Sequence, residues 1–271
     1  MTFAIVTWDV NPEILRIGNF AIRWYGLLFA SGFLFGYLLF QKMFKNEGIK
    51  EDVLDKLTIY AALGTIIGAR LGHCLFYEPA QYLRHPIDIL KVWEGGLASH
   101  GAAIGILLSL WLFVRKARKP YLWVLDRIVI VTALAGAMIR LGNLMNSEIY
   151  GNETTLPWGF VFLRNNEMAP KHPTQIYEAL AYLIIFVILY RIYWRKKPGE
   201  FIQGSVFGLF LIMVFTFRFF VEYIKEDQVA FESGMSLNMG QWLSIPFVLG
   251  GIALLVYSIR KHRLAAASAL G

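Results

Sequence analysis

The fold is decided by an apolar segment that ends in a polar run, which reads Ala137-Met138-Ile139-Arg140-Leu141-Gly142-Asn143-Leu144-Met145-Asn146-Ser147-Glu148-Ile149-Tyr150-Gly151. The residues that precede this run are apolar over a length sufficient to cross a bilayer. An arginine at mid-bilayer costs roughly 2.5 to 3.5 kcal/mol on insertion scales, so it is retained where a partner or a function offsets that cost. Arg140 is therefore the first candidate functional residue.

The composition is that of a protein that crosses a membrane several times. Of the 271 residues, 57% are hydrophobic and 17% are charged, and the mean hydropathy is +0.52. A soluble domain carries about 25% charged residues. Seven stretches are long and apolar enough to span a bilayer, at 20–41, 53–77, 96–115, 122–144, 174–194, 202–224 and 239–259. We expect an all-α integral membrane protein with one seven-helix domain over 1–263, followed by a flexible or non-native tail over 264–271.

The distribution of basic residues predicts the direction of the spans. Most Lys and Arg residues follow the first, third, fifth and seventh spans, and loops rich in these residues remain cytoplasmic. The amino terminus is then outside and the carboxyl terminus inside. The outer loops 78–95 and 145–173 are rich in aromatic and turn-forming residues and are predicted to form a small arm and a small head. The net charge of +7 is thus a topology signal with the lipid bilayer as partner, and no nucleic acid is expected.

On this orientation, the ionisable residues within the spans and one asparagine lie in the outer half of the membrane, apart from Lys56, Asp126 and Arg127 near the inner surface. They are Arg70, His73, His100, Arg140, Asn143, Glu178, Arg218 and Glu222. This segregation indicates one polar cavity that opens toward the outer leaflet. Guanidinium groups suit a phosphate, because the fork binds two oxygens and stays charged, and a histidine can move a proton near neutral pH. The pattern favours a phospholipid head group with chemistry at or near its phosphate.

Purely structural roles remain open for several of these residues. Arg218 and Glu222 are four residues apart on one helix face and can form an ion pair that only fixes the sixth span. Arg70 can pair with a neighbouring acid and hold the bundle, and Glu178 can anchor the start of a helix.

Small residues at four-residue spacing predict close helix packing. The second span carries such a stripe, and the first, third and sixth spans carry pairs, at Gly64, Gly68, Gly72, Gly32, Gly36, Gly101, Gly105, Gly204 and Gly208. Stripes of this kind let helix backbones touch within a membrane. They indicate a compact bundle and do not indicate any chemistry.

Seven segments in chain order carry a resemblance to a known family. They are Trp24-Tyr25-Gly26, Gly68-Ala69-Arg70-Leu71-Gly72, Glu94 to Gly101 around His100, the run 139–151, His172-Pro173-Thr174-Gln175-Ile176-Tyr177-Glu178, Arg218-Phe219-Phe220-Val221-Glu222, and Met239 to Pro246. Together they resemble the bacterial prolipoprotein diacylglyceryl transferases. The chain departs from the family pattern at Ile139 and Ser147, where glycine is usual, at Ala102, where a second glycine is usual, and at Lys225–Gln228, where the family often has R-x-P-D.

The resemblance implies a specific reaction. The diacylglyceryl group of phosphatidylglycerol would move to the lipobox cysteine thiol of an exported prolipoprotein, forming a thioether and releasing glycerol phosphate, as the first step of lipoprotein maturation. The protein would be a multi-pass transferase of the bacterial inner membrane with its active site toward the outer leaflet. No cofactor or metal is expected, since the histidines and the single cysteine form no metal-ligating cluster. The alternative from another class is a transporter or flippase for an anionic lipid or solute.

Site residues follow from the same segments. The expected catalytic residues are His100, which helps to activate the acceptor thiol, and Arg140 and Arg218, which bind the phosphate and stabilise the departing charge. The residues expected to bind phosphatidylglycerol are Arg140, Asn143, Glu148, Gly151, Arg218, Glu222, Tyr25 and Arg70. Within this set, Glu222 orients Arg218, Asn143 and Glu148 brace Arg140 or hold the head group, and Arg70 is either a phosphate ligand or structural.

Overall fold

The computed structural model describes residues 5–18, 20–92, 96, 98–195, 197, 202–226 and 234–268. Its helices are α1 Trp24–Asn46, α2 Glu51–Phe76, α3 Pro79–Arg84, α4 Ser99–Ala117, α5 Tyr121–Met145, α6 Thr174–Arg195, α7 Ser205–Val221 and α8 Met239–Ser268. Four short strands are β1 Val6–Trp8, β2 Glu13–Ile17, β3 Phe20–Arg23 and β4 Phe160–Phe162, and single 3-10 turns occur at Pro86–Leu90, Leu163–Asn165 and Glu222–Ile224.

Over these residues, seven helices are long and apolar enough to cross a membrane, and α3 is the helix that is not among them. The predicted seven-helix fold class is confirmed. The side of the membrane on which each terminus lies stays a prediction.

The first and last spans differ from the sequence-based boundaries. Residues 20–23, predicted to begin the first helix, form β3 and pair antiparallel with β2. The Trp24 N–H donates to the Pro12 carbonyl at 3.0 Å, which closes the hairpin where α1 begins. At the other end, α8 continues to Ser268, so the first part of the predicted flexible tail is helical, and residues 269–271 lie outside the described residues.

The chain divides into two compact units, residues 1–38 with 126–271, and residues 39–125. The second unit contains the predicted close packing of α2 on α4. Gly68 faces the backbone of Gly101 and Gly105, so that a Cβ atom on any of these glycines would overlap the opposite helix. This contact is the one that the glycine stripes predict. The described part of the predicted arm, α3 with the turn Pro86–Leu90, lies between these two helices in the chain.

Similar contacts join helices within the first unit. A Cβ atom on Gly32 would meet Ala135, and a Cβ atom on Gly208 would meet the Gly251 carbonyl oxygen at 3.0 Å. These glycines bring α1 close to α5 and α7 close to α8. The helix α8 contains Pro246 and continues through it.

The predicted head, 145–173, is a small folded region that includes β4. This strand pairs in parallel with β1 near the amino terminus, a contribution that the sequence pattern did not reveal. Phe162 is completely buried and stacks on Tyr150 with ring centroids 4.6 Å apart. The Trp8 indole N–H donates to the Leu144 carbonyl at 3.0 Å. The head is thereby fixed to the end of α5, where the polar run begins.

Asp126, in the first turn and a half of α5, fixes the start of α7. Its carboxylate is fully buried and accepts hydrogen bonds from the Gly204 N–H at 2.6 Å and the Phe207 N–H at 2.8 Å. A carboxylate at this point satisfies N–H groups that have no partner within the helix and favours the positive end of its dipole. This contact sets the position from which α7 carries Arg218 toward the other end of the bundle.

Candidate functional site

Arg140 lies in the last turns of α5, and side chains hold its guanidinium group. Its Nε lies 3.3 Å from Glu178 Oε2 on α6, and its Nη1 donates to Asn143 Oδ1 at 3.3 Å. Charge-assisted N–H···O bonds are shortest near 2.7–2.9 Å. Arg140 is therefore paired at distances longer than this range, and with a further hydrogen bond to Tyr182 three side chains hold a group that has five N–H donors.

A series of alternating charges extends from Arg140 to Arg218. Lys225 Nζ lies 3.1 Å from Glu178 Oε1 and 3.4 Å from Glu222 Oε1, and Arg218 Nε lies 3.5 Å from that same Glu222 oxygen. We call these five residues, in the order Arg140, Glu178, Lys225, Glu222 and Arg218, the charge ladder. Buried charges are stable only when they are paired, and the ladder pairs every member.

Exposure increases from the middle of the charge ladder to its ends. The side chains of Glu178, Lys225 and Glu222 are 0%, 3% and 6% exposed, whereas those of Arg140 and Arg218 are 16% and 33% exposed. The two arginines are thus the members that an incoming molecule can reach. The Arg218 Nε is buried and has no hydrogen-bond partner among the described residues, although the Glu222 carboxylate lies nearby. A donor in this state suits an anionic oxygen.

The turn after α5 places a further carboxylate beside Arg140. Glu148 Oε1 accepts hydrogen bonds from Asn143 Nδ2 at 2.8 Å and from Asn146 Nδ2 at 3.2 Å, and the Glu148 carbonyl accepts from Gln175 Nε2 at 2.8 Å. Asn143 therefore bridges Arg140 and Glu148. Glu148 orients the asparagines and is separated from Arg140 by an amide.

Tyr25 lies at the start of α1, close enough to Glu148 and Arg140 to interact with both electrostatically. It lines a groove of about 440 Å³ together with Asn146, Arg23 and residues of β3 and the first turn of α1. The groove thus reaches the same turn that holds Glu148.

Three glycines make room for side chains of this site. A Cβ atom on Gly142 would lie 2.8 Å from the Tyr25 ring, and one on Gly240 would lie 2.6 Å from the Glu222 carboxyl carbon. One on Gly136 would press on the Tyr182 ring, and Tyr182 hydrogen-bonds Arg140. The glycines of the polar run and of the Met239–Pro246 segment are therefore explained by close approach.

Comparison with known proteins gives a match over most of the chain. The family model for prolipoprotein diacylglyceryl transferase matches residues 12–257. The chain belongs to the prolipoprotein diacylglyceryl transferase family. It is therefore an enzyme, a transferase, embedded in a membrane by its seven apolar helices.

Three relatives of this transferase match over nearly their whole length. All are named phosphatidylglycerol–prolipoprotein diacylglyceryl transferase. The protein of Tolumonas auensis is 52% identical over 94% of this chain and 98% of its own. That of Porphyromonas gingivalis is 47% identical over 95% and 96%, and that of Bacteroides fragilis is 45% identical over 94% and 96%. The resemblance noted in the sequence is confirmed at the level of the family.

The structure brings seven of the predicted site residues of this transferase into the first unit. Arg140, Asn143, Glu148, Arg218, Glu222 and Tyr25 contribute side chains as described above. Gly151 contributes its backbone: its N–H donates to the His172 carbonyl at 2.9 Å, and it forms an antiparallel bridge with Lys225. A Cβ atom on Gly151 would collide with the Ile224 carbonyl oxygen, so this glycine is needed to hold the segment that carries Lys225.

Arg70 belongs to the second unit, where its contacts favour the structural alternative. It is 3% exposed. Its Nε donates to the Ile89 carbonyl at 2.9 Å, its Nη1 to the Gly96 carbonyl at 3.4 Å, and its Nη2 to the Asp88 carbonyl. The guanidinium also lies over the Tyr82 ring at 5.0 Å. Arg70 thus fixes the arm to α2, and a phosphate-binding role for it stays an untested prediction.

His100 also belongs to the second unit. It is the second residue of α4 and its side chain is exposed, while Gly101 beside it packs on Gly68 and Gly72. Glu94, Gly95 and Leu97 of the same motif lie outside the described residues. The role of His100 stays a prediction.

Lys225 is a site residue that the sequence pattern did not reveal. It falls in the segment Lys225–Gln228 that departs from the family pattern, of which Asp227 and Gln228 lie outside the described residues. One signal pointed to it: Lys225 follows Glu222 by three residues, a spacing at which side chains on a helical turn meet. That spacing did not reveal the second partner of Lys225, which is Glu178 on α6.

The residues on either side of Glu148 have positive φ angles, which glycine adopts without strain. Ser147 has φ of +54° and Ile149 has φ of +61°, a left-handed conformation that is costly for residues with a Cβ atom. Ser147 occupies this position where the family usually has glycine. The polar hydrogen bonds around Glu148 stabilise the strained turn.

Proposed function

We propose that this transferase moves the diacylglyceryl group of phosphatidylglycerol to the lipobox cysteine of a prolipoprotein. The observation that supports this function best is the charge ladder, because its two accessible members are arginines. A guanidinium fork that is paired and still has unused N–H groups can donate to two oxygens of a phosphate. Two such forks joined by buried carboxylates form a fixed anion site, and phosphatidylglycerol is the substrate in the printed names of the relatives.

The reaction is a substitution at the carbon of the diacylglyceryl group that bears the phosphate. The cysteine thiolate forms a carbon–sulfur bond at that carbon, the carbon–oxygen bond to the phosphate breaks, and glycerol phosphate leaves with the electron pair. The thiol proton passes to a base, for which we propose His100. Arg140 and Arg218 stabilise the added negative charge on the leaving phosphate, and prearranged charge of this kind is the largest source of rate enhancement in many enzymes.

The other site residues position these groups. Glu222 orients Arg218, Asn143 and Glu148 brace Arg140, and Tyr25 contacts the lipid or the acceptor peptide from the 440 Å³ groove. We further propose that the enzyme resides in the bacterial inner membrane with the amino terminus outside, the carboxyl terminus in the cytoplasm and the site toward the outer leaflet. The prolipoprotein signal peptide then reaches the site after export.

Transfer of labelled diacylglyceryl from phosphatidylglycerol to a lipobox peptide in detergent tests this function. We expect transfer from phosphatidylglycerol, much less transfer from phosphatidylethanolamine, and loss of transfer in Arg140→Ala and in His100→Ala. A peptide with serine in place of the lipobox cysteine is the matched control. Wild-type-like activity of both variants would contradict the site, and movement of phosphatidylglycerol across vesicles without any transfer would favour the flippase alternative.

A further inference from the structure

Lys225 occupies a position that no catalytic step requires, yet the charge ladder depends on it. Its side chain is 3% exposed, and its ammonium group lies between one oxygen of Glu178 and one oxygen of Glu222. Each of these carboxylates also faces one arginine of the site. Lys225 is therefore the one member of the ladder that contacts both carboxylates.

Because Lys225 binds both carboxylates, it changes the net charge of the charge ladder. With Lys225, the ladder has three cations and two carboxylates, a net charge of +1. Without it, the ladder would have two arginines and two carboxylates, a net charge of zero. Opposite charges in a poorly solvated site attract strongly, so the two carboxylates would draw the arginine forks inward.

We propose that Lys225 is a positioning residue that keeps Arg140 and Arg218 available for the phosphate of the lipid donor. The proposal rests on the proposed function, since it takes the donor to be phosphatidylglycerol. By binding both carboxylates, Lys225 weakens their hold on the arginines and keeps the site net positive. The Glu148 carboxylate does not form a further ion pair with Arg140, because the Asn143 amide lies between them.

The backbone around Lys225 supports a fixed position for its ammonium group. The Asn152 N–H donates to the Ile224 carbonyl at 2.8 Å, and Gly151 bridges Lys225 itself. The head thus holds residues 224–226 as a short strand-like segment directly after the 3-10 turn Glu222–Ile224. The side chain enters the ladder from this fixed segment.

A second buried lysine provides a matched control. Lys171 in the head is 8% exposed and has three glutamates around its Nζ, at 2.7 Å (Glu226), 3.3 Å (Glu167) and 3.7 Å (Glu153). None of these glutamates is a member of the charge ladder. Loss of Lys171 therefore tests the effect of removing a buried lysine without changing the partners of Arg140 or Arg218.

The experiment compares Lys225→Met, Lys225→Arg and Lys171→Met in the full-length chain in lipid nanodiscs. The dissociation constant for labelled phosphatidylglycerol, the KM and kcat of transfer, and the apparent melting temperature are measured. We expect Lys225→Met to raise the dissociation constant and KM about tenfold or more, the size of losing a charge-assisted interaction, with a smaller change in kcat. Lys225→Arg retains the affinity, and Lys171→Met lowers the melting temperature without changing KM.

A double variant separates charge from packing. Glu178→Gln combined with Lys225→Met restores a net charge of +1 in the ladder, so we expect it to bind phosphatidylglycerol more tightly than Lys225→Met alone. Where Lys225→Met folds poorly, the double variant is compared with the wild type instead, and a dissociation constant close to the wild-type value is expected. Unchanged affinity in Lys225→Met, an equal loss in Lys171→Met, or no recovery in the double variant would overturn the proposal. Binding of phosphatidylglycerol without transfer by the wild type would overturn the proposed function and leave the Lys225 proposal to be decided by the dissociation constants.

Discussion

Arg140 and Arg70 are both arginines within membrane-spanning helices, and they differ in what holds them. Arg70 donates to backbone carbonyls of Ile89, Gly96 and Asp88. Arg140 contacts side chains, a carboxylate at 3.3 Å and an asparagine oxygen at 3.3 Å.

The difference separates an arginine that joins parts of the fold from one that keeps unused hydrogen-bonding capacity. Backbone carbonyls are fixed by the fold, and an arginine that satisfies several of them joins two parts of the chain. Carboxylates and amides at longer distance keep a guanidinium charged and oriented without using its full capacity for hydrogen bonds. Arg70 therefore ties down the arm, and Arg140 remains able to bind an anion.

The strongest test of this comparison is replacement of Arg140 by lysine. Lysine keeps the charge but loses the planar fork, so bidentate contact with a phosphate is lost. We expect kcat/KM for phosphatidylglycerol transfer to fall by roughly 10²–10³, the range for loss of one oriented donor in an active site. The assay is labelled transfer to a lipobox peptide. Activity within about threefold of wild type, at equal protein in the membrane, would show that the fork is not used.

The same replacement at Arg70 should act on stability instead. A lysine cannot donate to three separate carbonyls in the planar arrangement of the fork, and each unsatisfied buried carbonyl costs about 1–3 kcal/mol. We expect Arg70→Lys to lower the apparent melting temperature by roughly 5 °C. The KM for phosphatidylglycerol should be unchanged. A tenfold rise in KM at an unchanged melting temperature would place Arg70 in the binding site and remove the contrast with Arg140.

The smallest expected effect concerns pH and the head. Burial lowers the pKa of the His172 imidazole below its ordinary value of 6.5, and its Nδ1 lies 3.3 Å from the Tyr177 hydroxyl. Since the unfolded chain binds the proton more readily, stability is retained above about pH 6.5 and decreases as the pH falls through the folded pKa. Thermal unfolding between pH 5 and 8 checks this, and His172→Gln should flatten the dependence. An equally steep dependence in the variant would assign it to other groups.

Much of the fold could be predicted because it depends on local properties of the sequence. A run of about 20 apolar residues predicts a spanning helix wherever it occurs, and glycines at four-residue spacing predicted the packing of α2 on α4. The errors lie where pairing with another segment, near or far in the chain, decides the structure. Residues 20–23 are apolar enough for a helix but pair with β2, and β4 in the head pairs with β1, far away in the chain.

The sequence predicted which types of residue form the candidate site, but it did not predict which of these residues contact one another. Arg140 and Arg218 were recognisable because charges are rare and costly in apolar spans. Lys225 was not, because it lies after the end of α7, where a lysine is ordinary. The sequence predicts that Gly151 binds substrate. In the structure, its backbone pairs with the segment that carries Lys225.

The sequence alone is enough to recognise a seven-helix membrane protein of the prolipoprotein diacylglyceryl transferase family with arginines in its apolar spans. Hydrophobic length and the cost of a charge in lipid are properties of single segments, so they can be read without a fold. The folded structure was needed to show which cations share which carboxylates, and that backbone carbonyls satisfy Arg70. Every residue has a carbonyl group and many segments carry a lysine or a glutamate, so these partners are defined only when the folded chain brings them within a few ångströms of one another.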